Sequence, residues 1–289
     1  MESGAALSRA PGDSRSSLLD HRVRAKNLSR DSTNRIHDDA VARTFGYTAG
    51  LVAGTTVYAY MSYPLVAAWG LEWLARGSAH LSLLRPVYDG DEVRIEARVA
   101  GRSGTEIAGE IAGELHATTP AGRAATVVAG LAWGAPPVVP DPRAYPAARL
   151  PASRLPASPA VLERLDRLGS PELLLHETTL ADYARGVEDP LGAYRGAGAL
   201  AHPGLVLQQA NRALSENVSL GPWVHVSSDL VHCGLARVGD RLTTRGRVVR
   251  VFEKKGHHFV DLDLLIVAND TRPVMHVRHR AIYQLRAPS

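Results

Sequence analysis

The 289-residue sequence is poor in cysteine, lysine, phenylalanine and methionine. A single thiol, Cys233, excludes an intramolecular disulfide framework and any multi-cysteine metal centre. It fits a reducing compartment. Cys233 lacks the sequence surroundings of a nucleophile and reads as a strand residue. Only Lys26, Lys254 and Lys255 among the 33 basic residues are lysines, and the arginines are scattered around a net charge of +4. No basic stripe with interleaved aromatics is present, which argues against a nucleic-acid partner. There is no glycine-rich phosphate loop and no serine-nucleophile elbow. The most apolar stretch, Thr55 to Leu74, contains Pro64 and Glu72. It reads as a buried core helix rather than a membrane span. Residues 1–19 lack an apolar segment and read as a disordered tail, not a secretory leader. The lone thiol and the missing leader together point to the cytoplasm.

What is present is an ordinary globular composition, 45% hydrophobic and 21% charged, on a chain long enough for two domains. Eight of the 18 prolines fall between Pro136 and Pro159. Proline fixes φ and removes a donor, so 136–159 reads as an extended, semi-rigid connector. It separates residues 20–135 from residues 160–289. The two parts repeat one another: Gly54 and Gly204 are 150 residues apart, and Asp91 and Asp240 are 149 apart. Each part reads as a helix followed by strands. Val93, Ile95, Ala97 and Val99 alternate with Arg94, Glu96 and Arg98, and Val260, Leu262 and Leu264 alternate with Asp261 and Asp263. Lys254-Lys255-Gly256 reads as a hairpin tip, with His257 and His258 beside it. A helix laid on an antiparallel sheet, made twice, is an α+β architecture.

The chemistry-bearing residues concentrate between Ser29 and Gly46, where Asn34 and His37 accompany the carboxylates Asp31, Asp38 and Asp39. Asp38 and Asp39 stand at the start of a short helix, where carboxylates cap backbone N–H groups. Eight residues after Gly46, Gly54 opens the long helix. This arrangement resembles the hydratase motif of the MaoC-like dehydratases, the (R)-specific enoyl-CoA hydratase group of the hotdog superfamily. Their pattern is Asp-x-Asn-Pro-x-His-x-Asp, followed by His-Gly at a helix start. Asn34, His37 and Asp39 match in type and spacing, Gly54 matches the glycine, and Arg85 to Asp91 resembles the family's strand signature. Ala181 to Leu191 and His202-Pro203-Gly204 resemble the same features in the second part. The departures are specific. Ser32 occupies the family's aspartate position, with Asp31 one residue early; Arg35 replaces the proline and Ala53 the histidine of His-Gly. In the second part, the histidine position falls on Gly192.

The resemblance implies a double hotdog, two long helices each wrapped by a curved antiparallel sheet. It implies a hydratase or dehydratase acting on a 2-enoyl or 3-hydroxyacyl thioester, with one complete site per chain. His37 would be the base, Asp31 its acid partner, Asn34 the loop organiser and Gly54 the backbone donor to the developing oxyanion. Ser32, Val57, Tyr58, Met61 and Arg85 are the candidate substrate-binding residues. Val57, Tyr58, Met61 and Leu65 share a helical face that suits either an acyl tunnel or plain core packing. No separate cofactor and no metal are expected, because coenzyme A or an acyl carrier protein is part of the substrate. The alternatives are a hotdog thioesterase and a non-catalytic acyl-thioester binding protein. Either a monomer of two units or a homodimer fits the duplication.

Overall fold

The computed structural model describes residues 16–100, 109–134 and 138–286. Strand β1 (Ser16–Arg24) precedes a loop that contains helix α1 (Asp39–Thr44). The long helix α2 (Gly54–Arg76) and strands β2 (Ser78–Leu83), β3 (Glu92–Ala100), β4 (Gly109–Thr119) and β5 (Gly122–Trp133) complete the first unit. The connector carries β6 (Leu155–Pro156) and leads into α3 (Pro159–Leu162). The second unit follows with β7 (Glu172–Leu174), α4 (Glu177–Gly186), α5 (Pro203–Ser215) and β8 (Val218–Ser219). It ends with β9 (Val224–His232), β10 (Arg241–Lys254), β11 (His257–Ala268) and β12 (Arg272–Gln284).

Ten strands form one sheet in the order β1-β3-β4-β5-β2-β9-β12-β11-β10-β7. The units meet at its centre, where β2 and β9 pair antiparallel from Ser78↔Val231 to Ser82↔Ser227. The repeat legible in the sequence recurs at the backbone ahead of β3 and β10. The isolated bridge Leu51↔Tyr88 recurs as Leu200↔Arg237, each residue displaced by 149 positions. Asp91 accepts a hydrogen bond from the Tyr88 N–H and Asp240 from the Arg237 N–H, both at 2.9 Å. These carboxylates close the same turn ahead of β3 and β10.

Helix α2 is apolar almost all round because it is enclosed almost all round. Tyr58, Met61, Leu65 and Trp73 are fully buried beneath the sheet. The helix breaks at Gly70, whose φ of 68° lies outside the helical region. None of the described helices is long and apolar enough to cross a membrane. The helix of the second unit is shorter, with 13 residues against 23, so the two units are unequal. The two helices touch at Gly204, where an added Cβ would fall 2.6 Å from the Ala59 Cβ and 2.5 Å from the Tyr183 hydroxyl.

Two expectations need adjustment, and one open point is decided. The first strand begins at Ser16, inside the stretch read as a tail, because Ser16–Arg24 pairs along its length with β3; residues 1–15 lie outside the described residues. The connector, whose packing the sequence leaves open, is docked: the Ala148 N–H donates to the Ser170 hydroxyl at 3.2 Å, and Leu155–Pro156 runs parallel to Val218–Ser219. Asp263, expected on an exposed strand face, is 8% exposed. The connector explains this: the Tyr145 hydroxyl donates to both Asp263 oxygens at 3.1 Å, while His276 and Arg247 pair with the same carboxylate.

The Gly204 contact is testable. Gly204→Val inserts a branched side chain between the helices and is expected to lower stability by about 1–3 kcal/mol. Urea unfolding measures it, and an unchanged midpoint would show that the helices do not touch there.

Candidate functional site

The site begins with Asn34. Its carbonyl oxygen accepts from the Ile36 N–H at 3.3 Å and the Trp223 N–H at 3.2 Å, and its amide nitrogen donates to the Trp223 carbonyl at 2.9 Å. One buried side chain thus starts the short 3-10 turn Arg35–His37 and ties it to the entrance of β9, 189 residues away. The next anchor is Asn27, whose amide donates to the His37 carbonyl at 2.8 Å. Asp39 accepts from the Gly50 N–H at 2.9 Å, and Asp38 caps α1 by accepting from the Val41 N–H at 2.9 Å. The two carboxylates therefore organise the loop.

His37 is oriented by its own ring. Nδ1 lies 2.6 Å from the Leu51 carbonyl oxygen, which can only accept, so Nδ1 carries the proton. Nε2 keeps its lone pair, 3.4 Å from the Asn34 amide nitrogen. Burial pushes the His37 pKa below its usual value, partly opposed by the Leu51 hydrogen bond. A neutral imidazole whose Nε2 lone pair is engaged only by the long contact from the Asn34 amide is the form a general base requires.

His37 opens onto a cleft of about 210 Å³ between the units. Gly54, Val57, Leu83, Arg85 and Val87 line it from the first unit; Trp223, Val224 and His225 line it from β9 and its approach. The first turn of α2 faces this space without a side-chain cap, because its N-cap residue is Ala53. Its leading N–H groups carry the positive end of the helix dipole into a mostly apolar cleft. Glycine is required by close approach at position 54: a Cβ there would lie 2.2 Å from the Leu83 Cδ1 and 2.9 Å from the His225 Nδ1.

The sequence-derived candidates divide cleanly. Asn34, His37, Gly54, Val57 and Arg85 all line the cleft. Asp31 and Ser32 do not: both are exposed on the preceding turn, and the Ser32 hydroxyl points to the Asn34 carbonyl at 3.4 Å. Tyr58 and Met61 lie buried on α2 behind the lining. No carboxylate is among the described residues of the lining. In the sequence His225 is one of several histidines that alternate with apolar residues, with no motif around it. The missed signal is its place on the strand that faces Gly54 from the other unit.

The corresponding place in the second unit is filled. The Leu51 N–H donates to the Ile36 carbonyl, and the Leu200 N–H donates to the Ala193 carbonyl. The spatial counterpart of His37 is therefore Tyr194, not the Gly192 expected by counting. The spacing from this residue to the following helix is shorter than in the first unit, because α1 has no counterpart between Tyr194 and Pro203. The Tyr194 ring packs 4.5 Å from that of His202, and His202 is hydrogen-bonded to buried Asp189 at 3.1 Å. His202 also accepts from the Gly204 N–H at 3.1 Å, capping the helix end that is open in the first unit.

No protein-family model and no curated protein matches the sequence. Solved structures match its fold. A structure described as a MaoC domain dehydratase from Chloroflexus aurantiacus superposes with a TM-score of 0.67 at 12% identity, covering 98% of this chain and all of that one. A conserved Mycobacterium tuberculosis protein described as having a double hotdog fold aligns at 0.59 with 14% identity, over 93% of this chain and 96% of its own. An oleoyl thioesterase from Lactobacillus plantarum aligns at 0.50 with 12% identity, over 95% and 98%. The chain has the double hotdog fold expected from its motifs.

The buried rings set an acid limit on the fold. Burial pushes His225 and His232 from 6.5 down to about 4, and it also lowers His37, His202 and His279. The unfolded chain binds protons below pH 6.5 that the folded chain refuses, so stability must fall as the pH drops. A ring shifted that far costs about 2 kcal/mol by pH 5. Urea unfolding is expected to weaken steadily from about pH 7 to about pH 5. His232→Gln should flatten the slope, and a level wild-type profile would contradict neutral burial.

Proposed function

We propose that this chain is an acyl-thioester enzyme of hydratase or dehydratase type, using the single cleft that contains His37. The observation that carries the reading is the meeting of two groups in one apolar space. One is the His37 Nε2 lone pair, and the other is the uncapped start of α2 at Gly54. A base and a backbone oxyanion donor are what water addition to an enoyl thioester needs.

The steps balance on His37 alone. Its Nε2 takes a proton from water as the oxygen bonds to Cβ, and the double-bond electrons move onto the thioester oxygen. The resulting enolate is held at the N-terminus of α2. His37 then returns its proton to Cα and is neutral again. Dehydration is the reverse. No separate cofactor is needed, because coenzyme A or an acyl carrier protein arrives as part of the substrate. Arg85, at the cleft, suits a phosphate of that carrier. The lone thiol suits a reducing, cytoplasmic setting.

One observation favours a second reading. With no carboxylate among the described lining residues, the cleft lacks the second acid–base side chain of the resembling family. Thioester hydrolysis asks only for a base to activate water and donors for the carbonyl oxygen, so a thioesterase would also operate here.

Purified protein incubated with trans-2-enoyl-CoAs and saturated acyl-CoAs, read by mass spectrometry, separates the readings. Addition of water to an intact thioester is expected, and His37→Ala should reduce kcat/KM by about 10²–10³-fold. Release of free coenzyme A would transfer the chain to the thioesterases. Tight binding without turnover would make it a binding protein.

A further inference from the structure

The residue packed against Gly54 at the cleft comes from the other unit. His225 is 5% exposed, and no described residue hydrogen-bonds its Nδ1. That nitrogen sits 2.9 Å from where a Cβ on Gly54 would be, beside the uncapped first turn of α2. A buried nitrogen without a partner carries a free-energy cost, so its position calls for a ligand that pairs with it.

The other ring nitrogen is engaged. His225 Nε2 lies 2.9 Å from the Ser228 hydroxyl, which lies 3.0 Å from Nδ1 of buried His279. A hydroxyl has one proton to give, so Ser228 donates to one ring and accepts from the other. When it donates to His225 Nε2, the neutral ring must carry its proton on Nδ1. His279 then closes the chain by donating to Ser228. Burial depresses both rings, partly opposed at His225 by a backbone hydrogen bond at Ser227 and reinforced at His279 by the neighbouring His225, so both are neutral near pH 7. A neutral imidazole is still a good N–H donor, as the electrophilic histidine of some enolising enzymes shows.

We propose that His225 is a second oxyanion donor of this cleft, its Nδ1–H hydrogen-bonding the carbonyl oxygen of an acyl thioester seated at the start of α2. Ser228 and His279 are positioning residues that hold the ring in this tautomer. The inference rests on the acyl-thioester reading of the cleft and assigns it a donor from the second unit. Its consequence is that neither unit holds a whole site: the base and the backbone donor come from residues 37 and 54, and the side-chain donor comes from β9. No proton leaves His225 in this role. The ring polarises the carbonyl, and the bond stays a hydrogen bond throughout.

The test uses the full-length protein and a dethia analogue of an acyl-CoA. In this analogue a methylene replaces the thioester sulfur and the carbonyl carries ¹³C, so neither hydration nor hydrolysis can consume it. Infrared difference spectra should show the carbonyl stretch lowered on binding to the wild type, and lowered less with His225→Leu. With the substrate that turns over, His225→Leu is expected to lower kcat by about 10²-fold with KM nearly unchanged, the signature of a donor used most in the transition state. Ser228→Ala should give part of that loss and Ser228→Thr, which keeps the hydroxyl, should restore it. Should His225→Leu fail to fold, the Ser228 pair and the wild-type spectrum decide the matter. An equal carbonyl shift in wild type and Ser228→Ala, with equal kcat, overturns the proposal while leaving the acyl-thioester reading intact. Failure of the analogue to bind the wild type, together with no turnover of any thioester, overturns both.

Discussion

The Asn34 amide is the interaction on which the site depends. It meets the Trp223 backbone with a donor and an acceptor at once, and its remaining capacity caps the turn that carries His37. An amide can do this where a carboxylate cannot, because it has both kinds of group. The contact is buried, so each partner left unpaired would cost about 1–3 kcal/mol. It also joins residues 189 apart. The loop bearing the base and the strand bearing His225 are therefore placed by the same side chain. The cleft exists only while the two units are docked.

Duplication produced two equivalent places, and side chains then made them different. At the second, His202 caps α5 and pairs with Asp189, while Tyr183 and Tyr194 pack against the ring. The histidine that could face a ligand there is spent on the interior, and the Tyr183 and Tyr194 hydroxyls are buried without a hydrogen-bond partner among the described residues. At the first, Ala53 replaces the capping histidine, so the helix end is left for something else. A methyl group at the N-cap costs helix stability. A helix start with no cap, opening into a cleft, is the pattern expected where the missing acceptor is supplied by a ligand.

Much of the fold was legible because it follows from local pattern. The alternation over Val93 to Val99 is the burial alternation of β3, and the 149-residue offset lands on matching backbone bridges. The Asn34–His37 spacing likewise places both residues on one turn, since residues three apart in a tight helical turn share a side. What escaped depends on contacts the chain order conceals. His225 and His279 are linked through Ser228 only because β9 and β12 are neighbours in the sheet. Asp263 is buried because a connector residue, Tyr145, arrives over it from 118 positions away. Tyr194 displaces the Gly192 expectation because the second short turn is capped at Leu191, beyond the Asp189-Pro190 pair, which counting from a motif cannot detect. Asp31 fails to reach the cleft because its turn is closed by the Ser29 carbonyl and faces solvent.

The absence of a carboxylate from the described lining has a physical meaning beyond a missing catalytic group. A negative charge beside Gly54 would oppose the charge that develops on a thioester oxygen, and in a poorly solvated cleft that repulsion would be strong. Apart from the Arg85 guanidinium, the groups that are there carry no charge near pH 7: two imidazoles held neutral by burial, a set of amide N–H groups, and apolar walls. Neutral dipoles fixed in advance stabilise a transient anion without having to reorganise when it forms. Holding the rings neutral also lets them be buried, because a protonated imidazole in the same place would demand a counter-ion. The same burial that makes the fold sensitive to acid therefore prepares the cleft for an oxyanion at His37 and His225, whereas His232, outside the cleft, bears on acid sensitivity alone.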